Sequence, residues 1–91
     1  MEKLKNNMIE VIESMQQRLA LLQPSFINII DESHLHIGHP GRDPGKGHFR
    51  LQIRSQKLIH LSRVQQHQKI YMLLGDLMQS SIHALAIEIV N

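Results

Sequence analysis

Apolar residues in the first quarter of the chain recur with the period of an α-helix. They stand three or four positions apart, at Leu4, Met8, Val11, Ile12, Met15, Leu19 and Leu22. This spacing places them on one side of an amphipathic helix of about five turns, which would turn that side toward a core. Asn6 or Asn7 could cap a later start of the helix. Pro24 ends it, because the residue before a proline is driven out of helical geometry.

Two strands are predicted on either side of a long loop. The first is the short β-branched run at residues 26–30, which favours a strand over a helix. The second alternates strictly, with Phe49, Leu51 and Ile53 facing a core and His48, Arg50, Gln52 and Arg54 facing water or a partner. Strands joined by a loop in this way should pair antiparallel.

The last third of the chain predicts one more helix and one more strand. Ser62 and Gln65 have the spacing of a capping box, so a helix should begin near Ser62. Its apolar positions keep helical spacing, with Gly75 inside the helix: Val64, Ile70, Tyr71, Leu73, Leu74, Leu77 and Met78. The nearly continuous apolar run at residues 82–90 is typical of a strand inside a sheet, or of one that other elements cover.

These elements predict a single domain over residues 1–91 with the order α-β-β-α-β. The connection from the second strand through the helix to the third should be right-handed, which makes those two strands parallel. Helices would then cover one face of a three-stranded mixed sheet. The predicted fold class is therefore α+β, a two-layer sandwich.

The loop between the first two strands carries most of the candidate chemistry. Residues 31–48 hold four of the seven histidines, four of the five glycines and two of the three prolines. His34, His36 and His39 are close enough to suggest a zinc site, but no fixed geometry is evident, and a solvent-facing polar loop is the simpler interpretation. The segment from Gly38 to Gly41 also has the spacing of a KH-domain backbone clamp, without its flanking helices.

Two further histidines lie on predicted regular elements. His67 is in register with the apolar positions of its helix, which favours a half-buried histidine bonded to backbone over a ligand. His83 stands at the start of the last strand, where Leu or Val would pack better. A local polar role for His83 is therefore plausible.

Composition argues against several classes of function. The chain has no cysteine, so it offers no disulfide, thiolate ligand or cysteine nucleophile. It contains no dinucleotide fingerprint, phosphate loop or serine elbow. Asp31 and Glu32 are adjacent at a strand end and would face opposite sides, which is poor geometry for paired acid–base chemistry. We therefore predict that the protein is not an enzyme.

The N-terminal segment and the apolar runs bear on the location of the chain. Residues 1–17 carry charges of both signs and do not resemble a signal peptide. No apolar run is long enough to span a bilayer. We expect a cytoplasmic protein without a membrane partner.

Positive charge is concentrated in the middle of the chain. The net charge is only +2, but residues 42–69 contain seven basic side chains against Asp43 alone: Arg42, Lys46, Arg50, Arg54, Lys57, Arg63 and Lys69. Such a segment attracts phosphate, acidic partners or the carboxylates of glutathione. A solvated strand face is an equally good interpretation, and the few aromatic side chains argue against base stacking.

Five short motifs in series resemble the BolA family in order and spacing. They are Asp31-Glu32-Ser33 followed by His36, then His48-Phe49-Arg50, Leu61-Ser62-Arg63-Val64, Gln66-His67-Gln68 and Ile82-His83-Ala84-Leu85. The likeness runs from about Phe26 to Ile89. It implies an α-β-β-α-β core related to class II KH domains, in agreement with the order predicted from the hydrophobic pattern.

The resemblance also implies a function. BolA-like proteins pair with monothiol glutaredoxins and share a [2Fe–2S] cluster, for which the partner supplies a cysteine and a glutathione thiol. The motifs place this chain's ligands at His83 and at His36, with His39 as the fallback. The implied role is an adaptor in iron–sulfur cluster trafficking or iron homeostasis, monomeric or weakly dimeric when alone, with no cofactor tightly bound to the isolated chain.

An alternative role is implied by the same resemblance. Some family members act as DNA-binding transcriptional regulators of the stress or morphology type. A KH-like basic face would carry that activity here: Arg42, Lys46, Arg50 and Arg54. The family's usual Arg-His-Arg helix motif reads Gln66-His67-Gln68 in this chain, which removes two phosphate-binding side chains from the helix.

Overall fold

The computed structural model describes residues 2–33 and 46–91. A 3₁₀ turn at Ala20–Leu22 follows the first helix, and the elements are α1 (Glu2–Leu19), β1 (Phe26–Asp31), β2 (Gly47–Arg54), α2 (Gln56–Ile59), α3 (Arg63–Leu74), α4 (Leu77–Ser80) and β3 (Ile82–Ile89). Apart from the one-turn helices α2 and α4, which were not predicted, this is the predicted order α-β-β-α-β.

The three described strands form one mixed sheet in the order β1-β2-β3. β1 pairs with β2 antiparallel, with Ile29 opposite Leu51, and β2 pairs with β3 in parallel, with Leu51 opposite Ile87. Both orientations are as predicted. The parallel register shifts by one residue between Gly47 and His48, which is a β-bulge.

The alternation of β2 is also confirmed. Phe49, Leu51 and Ile53 are buried under the helices. The intervening side chains lie on the other side of the sheet, where His48, Arg50 and Gln52 are half-buried and Arg54 is exposed. We call this second side, formed by the alternate residues of β2 and their neighbours on β1 and β3, the open face.

The place of β3 in the sheet differs from the prediction. Its apolar run predicted an interior or covered strand, but β3 lies at the edge of the described sheet and the alternating β2 lies at its centre. Only one side of β3 packs against the core, through Leu85, Ile87 and Ile89. The run looks continuous because the small residues Ala84 and Ala86 occupy positions on the other side.

The core lies between the sheet and the helices. Its buried side chains come from both layers: Met15, Leu19, Leu22, Phe49, Leu51, Ile53, Leu58, Ile70, Leu74, Leu77 and Ile82. Each large apolar side chain buried in this way contributes roughly 1.5–3 kcal/mol to folding. Ser55, the buried polar residue of the described segments, donates from Oγ to the carbonyl of Leu22 and accepts from the N–H of Lys57, which caps α2.

The C-terminal end of α1 agrees with the prediction, and its N-terminal end does not. The helix and its 3₁₀ turn finish at Leu22, before Pro24, as predicted. The helix is already formed at Glu2, so the predicted capping by Asn6 or Asn7 is wrong.

The capping box at the start of α3 is confirmed. Ser62 Oγ accepts from the N–H of Gln65, and Gln65 Oε1 accepts from the N–H of Ser62. The apolar positions of α3 are only partly confirmed, because Val64 is 66% exposed and Tyr71 is 41% exposed. The side of α3 that enters the core is narrower than predicted and is formed by Ile70 and Leu74.

Gly75 does not lie inside a helix, contrary to the prediction. Its φ of 54° is in the range that favours glycine, and its N–H bonds to the carbonyl of Tyr71 at the end of α3. Nη1 of Arg18 on α1 donates to the carbonyl of Leu74 at 2.6 Å and to Oδ1 of Asp76 at 2.8 Å. These contacts fix the break between α3 and α4.

Candidate metal-ligand site

His83 lies on the open face at the start of β3 and is exposed. Beside it on the neighbouring strand lies His48, the second residue of β2, whose partner in the parallel register is Ala84. Nδ1 of His83 is 3.1 Å from Nε2 of His48, and the ring centroids are 4.7 Å apart with planes at 70°. The fold thus places an exposed imidazole and a half-buried one in contact at one end of the sheet. We call these two residues the histidine pair.

The backbone around His48 is held by the strand and by the end of β1. The N–H of His48 donates to Oγ of Ser33, and its carbonyl accepts from the N–H of Glu32 at 2.8 Å. On the other side, the N–H of Gly47 donates to the carbonyl of Ser81, immediately before β3. Two of these bonds join the start of β2 to the end of β1 and the third joins it to the start of β3, so the backbone that carries His48 is held from both sides.

A ladder of polar side chains crosses the open face beside the histidine pair. Nε of Arg50 contacts Oε2 of Glu32 at 2.8 Å, and Nη1 of Arg50 contacts Oε2 of Glu88 at 2.5 Å. Gln52 donates to Oε1 of Glu88, and Asn28 donates to Gln52. One strand edge is thereby linked to the other through the side chains of β2.

These contacts shift two ionisation equilibria. Hydrogen bonds to Glu32 and then to Glu88 raise the pKa of the Arg50 guanidinium above its ordinary value. Hydrogen bonds from Gln52 and then from Arg50 lower the pKa of the Glu88 carboxyl. The guanidinium of Arg50 is thus flanked by the carboxyl groups of Glu32 and Glu88.

The structure describes only some of the predicted site residues. His83, Lys46, Arg50 and Arg54 lie in the described segments, whereas His36, His39 and Arg42 lie outside the described residues. The ligand assignments to His36 and His83 therefore stay predictions. Among residues 2–33 and 46–91, no three histidine, cysteine or acidic side chains converge as a metal site would require.

The contact between His48 and His83 was not predicted from the sequence. His48 was placed on the open face and His83 at the start of the last strand, but the two were not brought together. The signal was available, because parallel strands begin at the same end of a sheet and each of these strands has a histidine at its second position. What the sequence does not reveal is the bulge that brings the rings into contact.

A second concave feature lies where the N-terminal half of α3 passes the edge of β3. It is a groove of about 370 Å³, lined by Arg63, Gln66, His67, Ile87, Glu88 and Ile89. His67 is half-buried there, as predicted, but within the described residues its ring makes no hydrogen bond to the backbone, which was the other part of the prediction. Gln66 is used in packing, since its side-chain amide donates to the carbonyl of Leu58.

Comparison with known protein families shows to which family this chain belongs. The family of BolA-like proteins matches residues 19–91, which include every described strand and α2 to α4. The chain belongs to the BolA family. The resemblance drawn from the five motifs is thus confirmed.

Solved BolA structures share the fold described above. The BolA domain of SufE1 from Arabidopsis thaliana superposes with a TM-score of 0.71 at 36% identity, covering 82% of this chain and 84% of that one. BolA1 from the same plant gives 0.72 at 30% identity, covering 85% and 86%. The α+β architecture with a mixed three-stranded sheet is therefore that of BolA domains.

A bacterial relative carries a functional name. The "DNA-binding transcriptional regulator BolA" of Haemophilus influenzae is 42% identical over 67 residues, which are 74% of this chain and 62% of that protein. The chain thus spans somewhat less than two thirds of the length of this relative. In the segments that the structure describes, none of the helices has the length and hydropathy needed to cross a membrane.

Proposed function

We propose that this BolA-family protein is an adaptor that pairs with a monothiol glutaredoxin and contributes histidine ligands to a shared [2Fe–2S] cluster. The observation that carries the proposal is the exposed imidazole of His83, held at the start of β3 by its contact with His48. His36, with His39 as the fallback, is the second proposed ligand from this chain.

The residues of the chain fit such a cluster on chemical grounds. Iron–sulfur clusters are held by cysteine thiolates, some of which imidazoles can replace, and this chain contains seven histidines and no cysteine. Every thiolate would therefore come from the partner and its glutathione. A shared cluster, when bound, would be the cargo that the complex passes on or the signal that it senses, in iron–sulfur trafficking or iron homeostasis.

His83 can bind or release such a group without disturbing the core. Its side chain is exposed, whereas the residue before it, Ile82, is buried and anchors the start of β3. The polar ladder of Arg50 lies on the same face, and its charged groups are paired with one another within the chain. Both features favour a docking role over catalysis, because they leave the reactive group at a surface that a second protein must complete.

Anaerobic reconstitution with a monothiol glutaredoxin and glutathione tests the proposal. We expect the circular dichroism spectrum of the glutaredoxin homodimer to be replaced by that of a mixed complex when this chain is added. His83→Ala should prevent the change, whereas His60→Ala, which removes an exposed histidine from the end of α2, should not. An unchanged cluster spectrum in the His83→Ala complex would show that His83 is not a ligand.

A second candidate function is DNA binding, which the name of the bacterial relative favours. Arg42, Lys46, Arg50 and Arg54 are the proposed phosphate contacts, and Arg54 is exposed on β2. The two functions separate by their response to salt. Binding through phosphate contacts weakens steeply as the salt concentration rises, whereas a complex bridged by a cluster should change little.

A further inference from the structure

The contact within the histidine pair distinguishes the two nitrogens of His83. The 3.1 Å separation of Nδ1 of His83 and Nε2 of His48 is that of a hydrogen bond, in which one ring donates and the other accepts. Because this bond engages Nδ1 of His83, Nε2 is the ring nitrogen that remains to bind another group. The pair thus gives the exposed histidine a defined orientation.

The bulge explains why the two rings meet. Ile82 is buried and Leu85 packs against the core, although they stand three positions apart. In a regular strand, residues an odd number of positions apart face opposite sides of the sheet. The extra residue in β3 removes this conflict, since His48 is paired with Ala84 and the bulge leaves His83 beside it.

Histidines that bind metals have a known requirement at their second nitrogen. An imidazole that coordinates through one nitrogen donates the N–H of the other to an acceptor, which fixes the tautomer, orients the ring and makes the ligand more basic. A carboxylate, a backbone carbonyl or water is the usual acceptor. At His83, the atom in that position is Nε2 of His48.

We propose that His48 is a positioning residue for His83. In this role His48 accepts a hydrogen bond from Nδ1–H of His83 and thereby directs Nε2 of His83 toward an iron atom shared with the partner. In the free chain either ring can be the donor. Coordination through Nε2 of His83 selects donation by Nδ1–H, because the lone pair of Nε2 must then be available. The inference rests on the proposed function for the identity of the metal, but the hydrogen bond is a property of the free chain.

The placement of both residues on strands supports this role. His48 is anchored through its N–H to Ser33 and through its carbonyl to Glu32. The residue before His83 is buried in the core. A site supported by strands is set before its ligand binds, so His83 pays little ordering entropy when a metal reaches it.

The free chain provides the first test. In ¹⁵N-labelled protein at a pH of about 8.5, where free imidazole is neutral, NMR should detect a scalar coupling across the hydrogen bond between Nδ1 of His83 and Nε2 of His48. His48→Leu should abolish the coupling, and His60→Leu on the exposed His60 should leave it intact. A wild-type spectrum without the coupling overturns the proposal, whatever the result with glutaredoxin.

The cluster complex provides the second test. Coordination through Nε2 should give a hyperfine-shifted, exchangeable signal from Nδ1–H of His83. In His48→Leu this proton should exchange with solvent about five to ten times faster, the scale of one lost hydrogen bond. The reduction potential should also rise, because the imidazole becomes a poorer donor.

A conservative variant separates positioning from folding. In His48→Gln, the side-chain oxygen of Gln can accept the hydrogen bond near the position of Nε2. The slow exchange of Nδ1–H of His83 and the lower reduction potential of the wild-type complex should then both return. A shifted signal from Nε2–H, in place of Nδ1–H, would show coordination through the wrong nitrogen and refute the proposal. If no mixed complex forms, the proposed function fails, and the coupling in the free chain still decides whether His48 holds His83.

Discussion

Gly47 is the residue at which the start of β2 tolerates no side chain. A Cβ atom built there would lie 2.6 Å from the ring of the buried Phe49 and 2.9 Å from Sδ of Met8. Gly47 also donates to Ser81 and stands beside the bulge that brings the histidine pair together. The packing of this glycine therefore links the core to the candidate site.

Gly47→Ala should destabilise the protein by about 1–3 kcal/mol, the usual cost of overpacking a core. Displacing Phe49 or Met8 would also move the strand start that carries His48. The measurement is urea unfolding followed by circular dichroism, with Ala84→Ser on the open face of β3 as the control. A midpoint equal to that of the wild type would mean that the Phe49 ring moves aside at no cost.

At the scale of elements, the break between α3 and α4 depends on a residue from α1. Arg18 donates both to the carbonyl of Leu74, the last residue of α3, and to the carboxylate of Asp76. Hydrogen bonding and charge pairing with Arg18 lower the pKa of Asp76 below its ordinary value. Three helices are thus joined through one guanidinium.

The lowered pKa of Asp76 sets the sign of a pH dependence. A carboxyl whose pKa is lower in the folded state stabilises the protein above its unfolded pKa, which is near the ordinary 3.8, and this contribution is lost as the pH falls through the folded value. Asp76→Asn should therefore lower the Tm slightly at pH 7, and this difference should vanish at acid pH, once the carboxyl of the folded protein is protonated. The contribution is small because the side chain of Asp76 is 79% exposed.

Thermal unfolding of the two proteins across this pH range is the measurement. Glu13→Gln on the exposed side of α1 is a suitable control for the loss of one carboxylate. Equal Tm differences at neutral and acid pH would show that the ion pair with Arg18 does not contribute.

The sequence contained enough information for the order and pairing of the elements. Local rules determined the start of α3 at Ser62, the end of the first helix before Pro24 and the buried side of β2, and each depends on residues within a few positions. Gly75 was misplaced because the apolar pattern continues past it to Leu77, while the side chain of Arg18 that bonds both sides of the break comes from 58 positions before Asp76. The histidine pair depends on a bulge in the pairing of distant strands, which no local pattern encodes.

At the scale of the whole molecule, folding places acidic side chains next to the basic residues that are concentrated in the middle of the sequence. The sequence gives residues 42–69 a strong excess of basic side chains. In the folded chain, Arg50 lies between Glu32 from the end of β1 and Glu88 from β3. Strand pairing thus brings an acidic residue that precedes the basic segment and one that follows it to Arg50, in the middle of that segment.

This arrangement makes a prediction that separates the two candidate functions. Glu88→Gln should release part of the charge of Arg50, so that a short DNA duplex binds more tightly at low salt and the logarithmic salt slope steepens by about 1, the equivalent of one phosphate contact. Glu10→Gln makes the same charge change on an exposed position of α1, away from the open face, and should have no such effect. The cluster complex with glutaredoxin should form equally well in both variants.

Fluorescence anisotropy of a labelled duplex at several salt concentrations measures the DNA binding of each variant. Equal gains from Glu88→Gln and Glu10→Gln would show that any DNA binding follows net charge alone, and would remove the open face as a DNA-binding surface.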